Sequence, residues 1–396
     1  MRILFLSFYY TPDLSAGSFR AAALTQALRS QLPSGSHIDV LTTMPNRYSS
    51  FTATAPETEE TEGISVYRIR LPSHQSGIRD QSRSFLTYAS GVRKLVRGKK
   101  YDLVLATSSR LMTAVLGSNI ARSTKTPLYL DIRDIFVDTI ENILPRWMAA
   151  PFGAVFSLAE RYAVRPACKI NLVSRGFEPY FTRRFPRQHF SYFPNGIDSE
   201  FLQPLSAEAG TTATPPPPLS ILYAGNIGEG QGLHAILPEL SLALEGRAVL
   251  TVIGDGGRKQ QLKSALHEAA AGSVVLLDPV DRPSLAKAYQ DADILFLHLN
   301  DYHAFRKVLP SKIFEYAATG KPILAGVAGH AAEFISNEVE NAEVFATCDV
   351  DGALRALERL KMKQTNRQDF IRKYDRRAIM RGLASDIAGA FERARS

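Results

Sequence analysis

Ser220-Ile221-Leu222-Tyr223-Ala224-Gly225-Asn226-Ile227-Gly228-Glu229-Gly230-Gln231-Gly232 reads as a short apolar strand running straight into a glycine-rich loop, with a helix-forming stretch beyond. Glycines at such a junction let backbone N–H groups approach a phosphate at the positive end of the following helix. The same pattern recurs on both sides. Downstream, 248–253, 273–277, 293–297 and 322–325 read as strands with helices between them; upstream, so do 3–9, 37–42, 66–71, 103–107 and 128–132, with helices at 19–30, 83–97 and 111–121. Strands alternating with helices imply parallel sheets covered on both faces. The expected fold is therefore α/β, two Rossmann-like doubly wound domains facing each other across a cleft. The first spans 1–202 and the second 220–372. Between them, 203–219 reads as a linker, because Pro215-Pro216-Pro217-Pro218 removes backbone donors and fixes φ. A helix over 373–396 is expected to pack back on the first domain.

Length and composition agree. A chain of 396 residues, 45% of them hydrophobic, is long enough for two cores. Its apolar opening, Met1 to Tyr10, ends at Thr11-Pro12-Asp13 without a small-residue cleavage site and reads as a buried strand, not a secretion signal. The apolar-rich stretch 147–159 is about 13 residues long, short of the roughly 20 needed to span a bilayer. Cys168 and Cys348 stand far apart, outside any CxxC or His/Cys ligand spacing, so neither a disulfide framework nor a zinc site is indicated. A cytoplasmic location is expected. Charge is uneven: residues 1–200 hold 25 Lys and Arg against 16 Asp and Glu, a net +9 in a chain whose total is +8. A basic first half points to a polyanionic partner.

In open parallel sheets ligands bind where loops leave the carboxyl ends of strands. In the second domain those loops carry Gly225, Asn226, Gly228 and Gln231, then Gly254-Asp255-Gly256-Gly257-Arg258, where Arg258 adds a cation. The sharpest segment is Val308-Leu309-Pro310-Ser311-Lys312-Ile313-Phe314-Glu315-Tyr316-Ala317-Ala318-Thr319-Gly320-Lys321-Pro322-Ile323-Leu324. Pro310 and Ser311 start a helix, Gly320 stops it, and a strand follows. Ser311 and Lys312 then face a diphosphate, while the carboxylate of Glu315, one turn in, accepts hydrogen bonds from two ribose hydroxyls. In the first domain, three strand exits offer Asp13, Ser15, Gly17 and Arg20; Asn46 and Arg47; and Asp131, Arg133 and Asp134. Their arginines and carboxylates suit an acceptor bearing hydroxyls and a diphosphate.

LPSKIFEY-x-A-x-GKPIL, with AGNIGxGQGL and IGDGGR upstream, resembles the GT-B-fold retaining glycosyltransferases of family 4. Within them it is most similar to the aminosugar transferases of O-antigen and capsule synthesis, including the L-fucosaminyl (WbuB-type) group. FYYTPDLSAGSFR, TTMPNRY and DIRD extend the likeness over nearly the whole chain. The resemblance implies a UDP-sugar donor, a polyprenyl-diphosphate-linked saccharide acceptor and a place on the inner face of the cytoplasmic membrane. It also implies no metal and no cofactor beyond the nucleotide sugar. The later Glu of the family's E-x7-E pair, which holds the donor ribose, matches Glu315; the earlier position holds Lys307 instead. The family's Arg and Lys near the phosphate loop are here Asn226 and Gln231, leaving Arg258, Lys307 or Lys312 to supply the charge. The donor set is thus Gly17, Gly225, Asn226, Gly228, Gln231, Gly254, Arg258, Pro310, Ser311, Lys312 and Glu315. Asp13, Ser15, Arg20, Asn46 and Arg47 are assigned to the acceptor. Asp131, Arg133, Asp134 and Lys307 are assigned to catalysis, in which the departing diphosphate takes the acceptor proton and the protein positions the reactants.

Asp291-Ala292-Asp293 has the DxD form of a metal-binding pair, but it precedes a strand and so lies at the wrong end of the sheet. No zinc-finger spacing or RNP-like aromatic motif supports a nucleic-acid partner. No GxGxxG with a following acid supports a dehydrogenase. A sugar-nucleotide epimerase of the same architecture keeps the nucleotide grip and dispenses with the acceptor. A last expectation concerns 79–100. Apolar residues at 85, 88, 92, 95 and 96, interleaved with Arg79, Arg83, Arg93, Lys94, Arg97, Lys99 and Lys100, form a stripe able to meet an anionic membrane.

Overall fold

The computed structural model describes residues 1–46, 54–72, 78–108, 110–138, 146–202 and 218–395. The chain divides into two compact units, one of Met1–Asn195 with Arg376–Ser396 and one of Gly196–Asp375. Residues 203–217 of the expected linker, and Arg47, lie outside the described residues.

The first unit is built on strands β1 (Arg2–Leu6), β2 (His37–Thr43), β3 (Thr58–Thr61), β4 (Ile64–Ile69), β5 (Leu103–Thr107), β6 (Leu128–Ile132), β7 (Ala167–Leu172) and β8 (Phe190–Ser191). Their order is β3-β4-β2-β1-β5-β6-β7-β8. All pairings are parallel except that of β3 with β4. Every residue of β5 and β6 is buried, as expected for strands covered by helices on both faces. The edge strand β3, Thr-Glu-Glu-Thr, is wholly exposed and has no apolar pattern to announce it. Its acids guard an edge that would otherwise invite further strands.

The helix Arg376–Arg395 belongs to this unit, because its apolar face fills the same core as β1 and the first helix, Ala16–Gln31. Met380, Leu383, Ala384, Ile387 and Phe391 cluster with Ile3, Phe5, Leu24 and Leu28. The Tyr129 hydroxyl donates to Asp386 at 2.7 Å. Helix Ile78–Val96 corrects the expected membrane stripe. Tyr88 and Val92 are fully buried, and the Tyr88 hydroxyl donates to the Leu41 carbonyl at 2.8 Å. The stripe therefore faces the core, and Arg83, Arg93, Lys94, Arg97 and Lys100 form a solvated basic face.

The second unit carries β9 (Leu219–Asn226), β10 (Ala248–Asp255), β11 (Val274–Leu277), β12 (Ile294–His298), β13 (Ile323–Gly326) and β14 (Ala342–Phe345), ordered β11-β10-β9-β12-β13-β14 and all parallel. In each sheet the strand order reverses beside the first strand of the unit, between β1 and β5 and between β9 and β12. A crevice opens at such a reversal because the flanking connections leave in opposite directions. Among the described residues, no helix is long and apolar enough to cross a membrane.

Candidate functional site

In the second unit four segments meet where β9 and β12 diverge. The loop after β9 is tied across the divergence, since the Asn300 amide donates to the Gly230 carbonyl at 2.9 Å and its side chain to the Glu229 carbonyl at 3.0 Å. A Cβ on Gly230 would come within 2.8 Å of the Phe305 ring, so this loop lies against the 3-10 turn His303–Lys307, which ends at the half-buried Lys307. A Cβ on Gly225 would sit 3.6 Å from the Lys312 side chain. The second glycine loop joins the first through the Arg258 amide, which donates to the Ile227 carbonyl at 2.9 Å.

Helix Lys312–Ala318 follows, with Pro310 and Ser311 ahead of it. Glu315 is 5% exposed. Its carboxylate accepts from Lys312 Nζ at 2.9 Å and from the Tyr289 hydroxyl at 3.0 Å, and Lys312 also reaches that hydroxyl at 2.9 Å. Burial, with the Glu315 charge, pushes the Tyr289 hydroxyl well above its ordinary range, so it remains a donor. Tyr289 comes from the helix Arg282–Asp291, where no motif marks it, and sequence reasoning missed it. Lys312, expected to face a diphosphate, instead rests on Glu315.

The two glycine-loop positions that depart from the family pattern, Asn226 and Gln231, are partners. Asn226 Nδ2 donates to Gln231 Oε1 at 2.7 Å, and the Gly228 amide donates to the same oxygen at 3.2 Å. A neutral amide pair thus braces the loop where two cations were the pattern. Arg258 pairs with Glu229 at 2.5 Å, and the Tyr302 hydroxyl donates to the same carboxylate. Burial works against the Glu229 charge, but Tyr302 and Arg258 overcome it and hold the carboxyl below its ordinary range. Gly254 has a structural reason to be glycine: a Cβ there would lie 1.9 Å from the Gly225 carbonyl oxygen.

His298, at the end of β12, is a strut no motif announced. It is fully buried; its Nδ1 lies 2.7 Å from the Gln231 carbonyl, and the Cys348 amide donates to its Nε2 at 3.0 Å. A carbonyl only accepts, so Nδ1 carries the proton, and burial holds the ring's pKa down at about 4. Asp291 and Asp293 part company: Asp291 pairs with Lys287 at 2.6 Å, and Asp293 accepts from the Ser220 amide at 2.8 Å, at the amino end of β9.

In the first unit, the residues assigned to the acceptor and to catalysis divide by burial. Arg20 and Asp131 are 1% and 2% exposed and form a two-pronged pair at 2.9 and 3.0 Å. Arg20 also donates to the Pro194 and Phe193 carbonyls, and Asn171 donates to Asp131 at 2.7 Å. Burial opposes the Asp131 charge, yet Arg20, Arg133 and Asn171 hold its carboxyl below the ordinary range. Arg20 and Asp131 spend these hydrogen bonds inside the protein and brace the strand ends, a structural role the sequence reading did not give them. Asp13 is likewise buried and accepts from the Asn46 amide at 2.9 Å, while the Asn46 side chain donates to Thr43 and the Met44 carbonyl. Ser15 caps the first helix by accepting from the Ser18 amide at 3.1 Å, with Gly17 in its opening turn.

Arg133 and Asp134 are half-buried. Burial and the neighbouring Arg20 lower Arg133 to about 10, and its guanidinium donates to Asn195 at 3.2 Å. Arg110, just beyond β5 at the strand-order reversal, lies 4.0 Å over the Phe8 ring and donates to the Tyr9 hydroxyl at 3.2 Å. Its place after a readable strand was the available signal for it.

Burial raises Asp134 to about 6, and burial raises Glu160 on helix Arg146–Val164 to about 7. The native state therefore holds these protons more tightly than the unfolded chain. Their stabilisation is complete below about pH 4 and lost as pH rises through about 6 and 7. Melting temperature is expected to fall across that window, and Asp134→Asn with Glu160→Gln to flatten the fall; an equally steep fall in the double variant would refute it.

A family model for glycosyl transferases group 1 matches residues 218–362, and one for a glycosyl transferase 4-like domain matches 18–196. An uncharacterized glycosyltransferase of Methanocaldococcus jannaschii is 23% identical over 363 residues, covering 87% of this chain and 85% of that protein. Among solved structures, sucrose-phosphate synthase from Thermosynechococcus elongatus shares the fold with a TM-score of 0.77 at 13% identity, over 99% of both chains. Anabaena HepE, solved with UDP-glucose, gives 0.69 at 15% over 98% of this chain and all of its own. WaaG, involved in lipopolysaccharide biosynthesis, gives 0.65 at 13% over 99% and 98%.

Proposed function

Since this chain belongs to the GT4-type glycosyltransferases, enzymes of nucleotide-sugar donors, we propose that it transfers an N-acetylated aminosugar from a UDP-sugar to a polyprenyl-diphosphate-linked saccharide. Transfer proceeds with retention, in O-antigen or related cell-surface polysaccharide synthesis, at the inner face of the cytoplasmic membrane. The observation that carries the donor half is the buried Glu315 beside the braced glycine loop. A carboxylate held there by Lys312 and Tyr289 is oriented before any ligand arrives, which lowers the ordering cost of binding. The UDP and UDP-glucose complexes of Anabaena HepE support uridine diphosphate as the nucleotide. WaaG's part in lipopolysaccharide biosynthesis supports the setting.

In this reading Lys307 and Arg258 stabilise the leaving diphosphate, while Lys312 holds Glu315 in place. Arg133, Asp134 and Arg110 orient the acceptor, whose proton passes to the departing phosphate oxygen. No divalent metal takes part. A ligand that binds only the native state raises its stability, by about 2.7 kcal/mol at a hundredfold excess over Kd. UDP and UDP-aminosugars are therefore expected to raise the melting temperature with EDTA present, and GDP not to. Equal shifts from UDP and GDP, or a UDP shift that needs Mn²⁺ or Mg²⁺, would overturn the donor assignment.

A further inference from the structure

Over 151–164, helix Arg146–Val164 has one buried face and one bare face. Glu160, Ala163 and Val164 are buried, and Ser118 of the neighbouring helix Leu111–Thr124 donates to the Tyr162 carbonyl at 3.0 Å. On the opposite side Val155 and Leu158 are 63% and 65% exposed, with Tyr162 beside them at 36%. At about 100° per residue, positions 155, 158 and 162 fall in one narrow stripe that Arg165 continues. Apolar side chains exposed singly need no account; three aligned on one helix do.

The surroundings are cationic. Arg161 on the helix and Arg165 just beyond its end are exposed. The Arg122 guanidinium lies 4.5 Å over the Tyr162 ring. Arg165 and Arg187 line one surface hollow of about 570 Å³ together with Phe185, Pro186 and Gln188. The acid within 151–165, Glu160, is buried beneath the Tyr180 hydroxyl and Arg184, so no carboxylate of this helix segment faces outward.

We propose that this face docks the protein on an anionic lipid surface. Val155, Leu158 and Tyr162 enter the boundary between headgroups and acyl chains, while Arg122, Arg161, Arg165 and Arg187 meet lipid phosphates. A second copy is the poorer occupant, because a two-fold contact would set these arginines against their own kind. The proposal rests on the lipid-linked acceptor put forward above, and is independent of the sugar transferred.

The test is vesicle co-sedimentation with phosphatidylcholine alone and with phosphatidylcholine containing phosphatidylglycerol. Wild type is expected to sediment only with the anionic vesicles. Val155→Ser with Leu158→Ser, and separately Arg165→Gln with Arg187→Gln, are expected to lower partitioning at least about tenfold, and Arg93→Gln with Arg97→Gln by less than about twofold. Every substituted side chain is exposed, and an unchanged UDP thermal shift checks that each variant is folded. Variants that sediment like wild type overturn the proposal. So does a wild type that ignores anionic vesicles while still binding UDP, an outcome that leaves the donor assignment standing. A dimer in sedimentation velocity that Val155→Ser with Leu158→Ser dissociates, without vesicle binding, would make the face a contact between copies. Vesicle binding without UDP binding would sink the donor assignment and keep this surface.

Discussion

Replacing Glu315 by alanine is expected to weaken UDP binding by about 2–4 kcal/mol, because two charge-assisted hydrogen bonds to the ribose are lost together. The loss is magnified by burial: at 5% exposure the carboxylate works where water competes poorly. Lys312 and Tyr289 would lose a shared acceptor, and Lys312 would be freed toward the diphosphate, which offsets part of the loss. Glu315→Gln keeps the shape without the charge and is expected to fall between. Isothermal titration that finds both variants binding UDP like wild type would remove Glu315 from the donor site.

Breaking the Arg20–Asp131 pair is expected to have the largest effect on stability. Asp131→Asn leaves the Arg20 guanidinium buried without its carboxylate, and removing one partner of a buried ion pair costs about 3–5 kcal/mol. The pair also fastens the helix Ala16–Gln31 to the backbone at Phe193 and Pro194. Unfolding in urea should therefore begin at lower denaturant, while UDP binding below that point stays intact, since the second unit contains neither residue. A change under about 1 kcal/mol, or lost UDP affinity in the still-folded variant, would show that Asp131 acts otherwise than as a buried anchor.

Much of the architecture was legible along the chain because parallel strands covered on both faces must be short apolar runs. β5 and β6 begin and end where their apolar runs do, at Leu103–Thr107 and Leu128–Ile132. The exposed edge strand β3 was silent: a pairing that buries no side chain leaves no periodicity. In the donor region, Pro310, Ser311, Lys312 and Glu315 were legible as one helix start preceding a strand. Tyr289, His298 and Asn300 were not, since each acts through a partner distant in sequence: Glu315, the Gln231 carbonyl and the Glu229 carbonyl.

The sequence by itself determined the two largely parallel sheets, the glycine loop after β9 and the helix start that carries Glu315, because strand periodicity and strand-end composition are local properties. Only the tertiary structure decided which charged residues face outward. Arg20 and Asp131 look like ligands in sequence and are buried on each other. Asn226 and Gln231 look like missing cations and brace one loop together. Between two amphipathic basic helices, Ile78–Val96 turns its stripe to the core while Arg146–Val164 leaves Val155 and Leu158 bare. The physical reason is common to all three. A side chain's type fixes what it is able to bind, but its burial and its partners come from segments far away in the chain and are decided only when those segments pack.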